Sequence, residues 1–340
     1  MDLFIKNSQI ETLLSNILRG QNLNLYKMMS YQMGWAENET ENLLNNPPKR
    51  IFASLCLETN KALGGNIKFG YPAAVSVELL YNYYLIHKDL QEGIPQRNNR
   101  DTAWWIWGPA QAINIGDGMH SLARKALFEL IDQGVNAKNV FEALRIFEDT
   151  GLKMCEGQFQ DIDFQESVMI SPDKYLSMIG NRTASLFSCS FALGASTALL
   201  PTEQINSIGL FGHNVGMNFQ IQEDSNSIWG NEAQKTFLQH KILNKKKILP
   251  VVLALSKGSI SIKRRLGEIY FKRVLEKSDL TVLSAILDEL NIRKDCENLS
   301  KNYFIKSMDI LKDIGLPKNQ YEILANMTKI IASGNETILS

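Results

Sequence analysis

Residues 71–87 read YPAAVSVELLYNYYLIH. At a period of 3.6 residues its apolar side chains cover most of the helix surface, which predicts a helix buried on nearly every side. Farther along, 109–131 (PAQAINIGDGMHSLARKALFELI) opens on Pro109, suited to a first helical turn, and continues in Ala and Leu. Residues 173–200 begin with Asp173 as a cap and run through YLSMIGNRTASLFSCSFALGASTALL. Another periodic segment covers 203–221, after Pro201 and Thr202. The run ILPVVLAL (248–255) has the composition of a buried strand, but Pro250 cannot donate to a ladder and fits a helix start better. Convincing period-2 alternation is absent, so the chain is predicted to be all-α. The Asn/Lys-rich stretches 36–49 and 231–247 read as loops or helix ends.

The chain has 340 residues, 44% hydrophobic and 21% charged, enough apolar surface to offset the entropy of ordering. No Pro- or Gly-rich linker and no fixed-period repeat interrupts it, so one domain over 1–340 is expected. Lys+Arg and Asp+Glu are 36 each, a balance that disfavours a basic nucleic-acid binder. Cys56, Cys155, Cys189 and Cys296 are scattered without a Cys-x-x-Cys pair, the pattern of free thiols in a reducing, cytoplasmic setting. MDLFIKNSQIETLL (1–14) lacks the basic and apolar regions of a signal peptide. No run of 18 apolar residues exists to span a membrane.

Two segments, 78–108 and 216–230, place polar, carboxylate-bearing clusters at the ends of apolar helices. Facing each other across a bundle, they would form a polar mouth over an apolar cavity, suited to a ligand with a charged head and a greasy tail. Taken alone, each cluster reads first as a solvated helix terminus.

Collinear blocks over nearly the whole length resemble the trans-isoprenyl diphosphate synthases, the polyprenyl synthetase family. PKRIFASLCL (48–57) resembles the family's Gly-Lys-x-x-Arg region, and VELLYNYYLIHKDLQEG (77–93) its first Asp-rich helix. WGPAQAINIGDGMHSLA (107–123), CEGQFQDID (155–163) and YLSMIGNRTASLF (175–187) resemble the next helices. FGHNVGMNFQIQEDSNSIWG (211–230) resembles the second Asp-rich helix, and KKKILPVVLAL (245–255) the basic segment after it. The resemblance implies an isoprenoid-synthase-type helical bundle around a central cavity, and a homodimer or a heterodimer with a related synthase.

It also implies two Asp-Asp-x-x-Asp motifs holding Mg²⁺ against the diphosphate of an allylic substrate. Both motifs are altered here. The first reads Lys88, Asp89, Leu90, Gln91, Glu92, and the second Glu223, Asp224, Ser225, Asn226, Ser227. Each has lost one of its i, i+4 carboxylates. Lys88 pairing with Glu92 would add only ~0.2–0.5 kcal/mol on an exposed helix. Lys88 reads either as a fixed cation on diphosphate or as the mark of a dead metal site.

At the second-substrate site Lys49 matches the family's Lys, but Phe52 stands for its Arg and Tyr81 for its His. Arg97 is kept from an arginine pair and Asn98 is not; Arg182 replaces a Lys; Gln220 matches. The resemblance thus assigns Lys88, Arg97 and Arg182 to catalysis. It puts Lys49, Tyr81, Gln220 and Lys246 on the substrate, and Asp89, Glu92, Glu223 and Asp224 on Mg²⁺. Trp104, Trp105 and Trp107 read as cavity-lining aromatics or as core, Tyr81, Tyr83 and Tyr84 as bulk that shortens the cavity, and His87 as a structural histidine.

The expected activity is ionisation of an allylic prenyl diphosphate, then cyclisation or transfer to a non-standard acceptor by a prenyltransferase or class I terpene synthase-like enzyme. Ordinary chain elongation is the least expected activity, because its acceptor contacts are the most altered. The alternative is a non-catalytic partner or regulatory subunit of a heteromeric prenyl diphosphate synthase, and a third reading is a carrier of prenyl lipids.

Overall fold

The computed structural model describes residues 8–18, 22–35, 48–97, 99–167 and 169–333. Residues 1–7 and 36–47, with part of the leader and loop expectations, and Asn98 lie outside the described residues. Fifteen α-helices and one short hairpin make up the described fold. In chain order these are α1 (Ser8–Leu18), α2 (Asn24–Gln32), α3 (Ile51–Ala62), α4 (Ile67–Gln91), β1 (Gln96–Arg97), β2 (Arg100–Asp101), α5 (Ala103–Asp132) and α6 (Ala137–Glu166). There follow α7 (Pro172–Ile179), a π-helical turn (Gly180–Ala184), α8 (Ser185–Thr197), α9 (Thr202–Trp229) and α10 (Glu232–Leu243). The chain ends with α11 (Leu249–Lys257), α12 (Ile260–Tyr270), α13 (Lys277–Glu289), α14 (Ile292–Asp313) and α15 (Lys318–Ala332).

The all-α expectation holds, and its physical basis is visible in α4, α8 and α9. Asn66 caps α4 by accepting from Lys68 N (3.0 Å), and burial then runs around the helix from Gly70 to Asp89. Every residue of α8 except Ser188 is buried. Helices apolar on all sides belong at the centre of a bundle, and these three pack with α3, α5 and α6 around one large core. A second core forms where α7 and α9 meet α10 to α14. Gly216 allows the close approach of α9 to α8, because a Cβ there would stand 2.7 Å from Ala184 Cα.

Pro250 does sit in the first turn of a helix, α11, as its chemistry requires. The stretch 231–247 departs from expectation. It is mostly α10, a polar helix that buries Leu238 and Ile242 beside α9. The helix expected from Pro109 is preceded by one more turn, with a break at Gly108 (φ 81°). No helix among the described residues is long and apolar enough to cross a membrane. On α5 and α6 a broad face stays apolar and exposed, including Ile131, Phe141, Leu152 and Phe159.

Candidate active site

The end of α4 turns sharply. Gly93 takes φ 62°, and Ile94 N–H returns to Asp89 O at 2.9 Å, a glycine-terminated helix end. The chain then folds into the β1–β2 hairpin, with Gln96 opposite Asp101 and Asn99 in the left-handed region (φ 59°). Tyr31 Oη donates to Asp101 O (2.8 Å) and Arg100 stacks 4.2 Å from the Tyr31 ring, which pins the hairpin. It brings Arg97 back over the helix end. Arg97 Nε lies 3.1 and 3.2 Å from the two carboxylate oxygens of Asp89, and its Nη2 also bonds Oδ1. Asp89 is buried. Burial disfavours the Arg97 cation, but the Asp89 charge outweighs it and raises the guanidinium further.

The π-helical turn carries Arg182 and Thr183. Wider turns of this kind recur at functional sites. This one presses on α6, where a Cβ on Gly157 would meet Arg182 N at 2.7 Å. Arg182 thereby reaches Asp161 of α6 at 2.5 Å. Lys246, in the segment between α10 and α11, reaches the same carboxylate at 2.7 Å and also bonds Glu92. A chain of alternating charge thus runs Arg182, Asp161, Lys246, Glu92. Burial alone would raise Asp161, yet Arg182 and Lys246 hold it down at about 2. Glu92 is lowered in the same way, with Lys88 and Lys246 overcoming its burial. Burial pulls Lys88 down to about 7 against the opposing charge of Glu92, and Lys246, Arg97 and Arg182 add to the fall.

On α9 the carboxylates are held differently. Asp224 is 1% exposed and accepts from Gln220 Nε2 (2.9 Å), Leu249 N (3.2 Å) and the Tyr175 hydroxyl. Gln220 in turn accepts from Thr183 Oγ1 (2.6 Å). Glu223 has one distant cation, Lys241 at 3.5 Å.

These groups surround one cavity of ≈ 80 Å³ between α4, α6, the π turn and α9. Its walls include Tyr81, Lys88, Arg97, Arg182, Gln220 and Lys246, with Glu223 and Asp224. Asp89 and Glu92 stand behind Arg97 and Lys246. Lys49 stands apart, exposed ahead of α3 and outside the cavity wall. Phe52 and Tyr81 stack 4.7 Å apart, with Phe187 5.3 Å from Phe52, and close the apolar side. Tyr84 also lines it, whereas Tyr83 faces outward onto Cys155 and His87. The tryptophans do not line the cavity. Trp104 donates to Ile94 O (2.6 Å), Trp107 packs on Tyr31, and Trp105 is exposed.

Asp161 carried no independent signal in the sequence, and Tyr175 and Lys241 none at all. Their roles arise from partners 85, 49 and 18 residues away. The arrangement can bind an anionic, oxygen-rich group and stabilise negative charge that develops on it.

Magnesium, which the resemblance implies, is poorly matched by the donor set. Mg²⁺ wants an octahedral shell of oxygens, usually with one or two carboxylates free to join it. Here both Asp89 oxygens face Arg97, Glu92 faces Lys246, and Asp224 is spent on three fixed donors. Among the described residues no group of three His, Cys, Asp or Glu could hold a metal ion.

Residues 33–287 match the polyprenyl synthetase family. The chain is 32% identical over 236 residues to geranylgeranyl diphosphate synthase of Mycobacterium tuberculosis, covering 69% of this chain and 66% of that protein. It is 28% identical over 295 residues to the (2E,6E)-farnesyl diphosphate synthase of Mycobacterium bovis, covering 85% and 80%. The crystal structure of a polyprenyl synthetase from Streptomyces coelicolor superposes with a TM-score of 0.88 at 25% identity, over 97% of this chain and 98% of that one.

Proposed function

Because the chain belongs to the polyprenyl synthetase family, we propose that it is a prenyltransferase that extends an allylic prenyl diphosphate to a longer one. One observation carries this reading: Lys88, Arg97, Arg182 and Lys246 converge on a single cavity between two carboxylate-bearing helices. Such a cluster suits a diphosphate leaving group. Its cations take up the negative charge that grows as the carbon–oxygen bond breaks, and the aromatic wall of Phe52, Tyr81 and Tyr84 faces the prenyl carbon chain. Elongation, set last from the sequence, now comes first. The relatives named geranylgeranyl and farnesyl diphosphate synthase support it. A second copy, or a related synthase chain, would cover the apolar face of α5 and α6.

A second reading has its own observation. The cavity is ≈ 80 Å³, below the ~300–1,000 Å³ typical of ligand pockets, and so small a cavity suits a non-catalytic partner subunit. The test is diphosphate release by the purified chain from geranyl, farnesyl and geranylgeranyl diphosphate, with and without isopentenyl diphosphate and added Mg²⁺. The expected result is release that depends on isopentenyl diphosphate, with a product one isoprene unit longer. Release without isopentenyl diphosphate would turn the assignment to cyclisation or hydrolysis. No release from any substrate would favour the partner subunit.

A further inference from the structure

The cavity wall holds six basic side chains, Lys88, Arg97, Arg182, Lys241, Lys246 and Lys247, and three carboxylates, Asp161, Glu223 and Asp224. Asp89 and Glu92 stand one contact behind, already paired with Arg97 and Lys246. Magnesium at a diphosphate site is met by one or two carboxylates, by waters and by the phosphate oxygens, and a carboxylate already paired with a cation is not free to join it. Here six basic side chains stand against five carboxylates.

A second observation points to an oxygen-rich ligand. Arg182 is about nine-tenths buried and lies in the cavity wall. Its Nη1 stands 2.5 Å from Asp161 without aligned hydrogen-bond geometry, so the guanidinium is held there by charge and its planar fork can also serve an anionic oxygen.

We infer that the cavity binds a diphosphate group directly through Lys88, Arg97, Arg182 and Lys246, without a magnesium cluster. The inference rests on the prenyl-diphosphate reading above. The chemistry of each cation suits the task. The planar guanidinium forks of Arg97 and Arg182 can meet phosphate oxygens in pairs, and the ammonium groups act as compact point charges. Lys246 already bridges two carboxylates and can trade one for a phosphate oxygen without losing charge compensation. Of the four motif carboxylates only Glu223 has a loose partner, Lys241 at 3.5 Å; a cluster of magnesium ions would have to draw Asp89 from Arg97 or Glu92 from Lys246 as well.

The experiment is calorimetric titration of the full chain with inorganic pyrophosphate, in EDTA and in excess Mg²⁺. The expected Kd in EDTA lies within tenfold of that in Mg²⁺. Lys88→Asp, which adds a carboxylate in place of a cation, should weaken binding in EDTA more than tenfold and make it depend on Mg²⁺. Lys88→Gln, which removes the cation and adds no charge, should weaken binding in both buffers and guards against a folding defect in the first variant. Wild-type binding more than tenfold weaker in EDTA than in Mg²⁺ would overturn the inference and leave the prenyltransferase reading standing. No binding in either buffer would overturn it too, and the diphosphate-release assay would then show whether the wider reading falls with it.

Discussion

Asp89 and Glu92 at the end of α4 stand just behind the wall of the cavity and Asp224 on α9 lies in it, yet they are held in opposite ways. Asp89 and Glu92 on α4 are met by cationic side chains brought from elsewhere, Arg97 from the hairpin and Lys246 from ahead of α11. Asp224 on α9 is met by neutral donors that belong to the packed core: the Tyr175 hydroxyl, the Gln220 amide and the Leu249 N–H. A carboxylate held by a side-chain cation can give up that cation to an anionic ligand. One held by three fixed donors cannot move without leaving them unpaired. The end of α4 is therefore the exchangeable side of the cavity, and Asp224 is part of its frame.

The sharpest way to break this contrast is Asp224→Ala. The change strands the Tyr175 hydroxyl, the Gln220 amide and the Leu249 N–H in the core, and loosens α7, α9 and α11 at once. The expected loss is about 3–5 kcal/mol in urea unfolding. Added pyrophosphate should not restore it, because the missing group held protein donors and not a ligand site. A loss under ~1 kcal/mol would remove Asp224 from the frame.

A third carboxylate lies upstream on α4 and separates backbone donors from cations as the means of holding. Glu78 is 1% exposed and accepts from Ala53 N at 3.1 Å, capping the start of α3 beside Phe52. Burial outweighs Arg50 and the backbone N–H groups and pushes it up to about 7. A raised carboxylate binds its proton more tightly in the folded state. Its stabilising contribution is full below the unfolded value near 4.5 and is lost as pH rises through about 7. Glu78→Gln keeps an acceptor for Ala53 and cannot ionise. Relative to wild type it should therefore gain up to about 3 kcal/mol between pH 4.5 and pH 8. Urea unfolding across that range checks it, and a pH-independent difference would show that Arg50 compensates the charge in full.

The fold was largely legible because burial dictates it. Helices apolar on every side must be central, and Pro250 can only open a helix. The π turn was not legible, since no local pattern in GNRTA marks a widened turn, and the close approach that accommodates it lies across the bundle at Gly157. Helix α10 was hidden by its Lys, Gln and Glu content, and its buried Leu238 and Ile242 are too few to show a clear stripe. In the site, the i, i+3 spacing of Asp89 and Glu92 showed that these two share a helix face. It could not show who neutralises them, because Asp161 and Lys246 stand 85 residues apart. The substitution of Phe52 was legible as a change but not as what it makes, a wall shared with Tyr81 and Phe187.

The smallest expected effect is on the exchangeable side itself. Asp89→Ala leaves Arg97 without its anion, but the Arg97 side chain is 18% exposed, and water can take up part of the charge. The expected cost is about 1–2 kcal/mol, below that of Asp224→Ala. What distinguishes Asp89 is rescue. With the carboxylate gone, Arg97 is free to serve an anionic ligand, so saturating pyrophosphate should raise the melting temperature of Asp89→Ala by more than it raises that of wild type. An equal or smaller rise would mean that Arg97 does not turn toward the cavity when released. The ends of α4 and α9 would then both be frame, and the ligand's charge would have to be met by Lys88, Arg182 and Lys246.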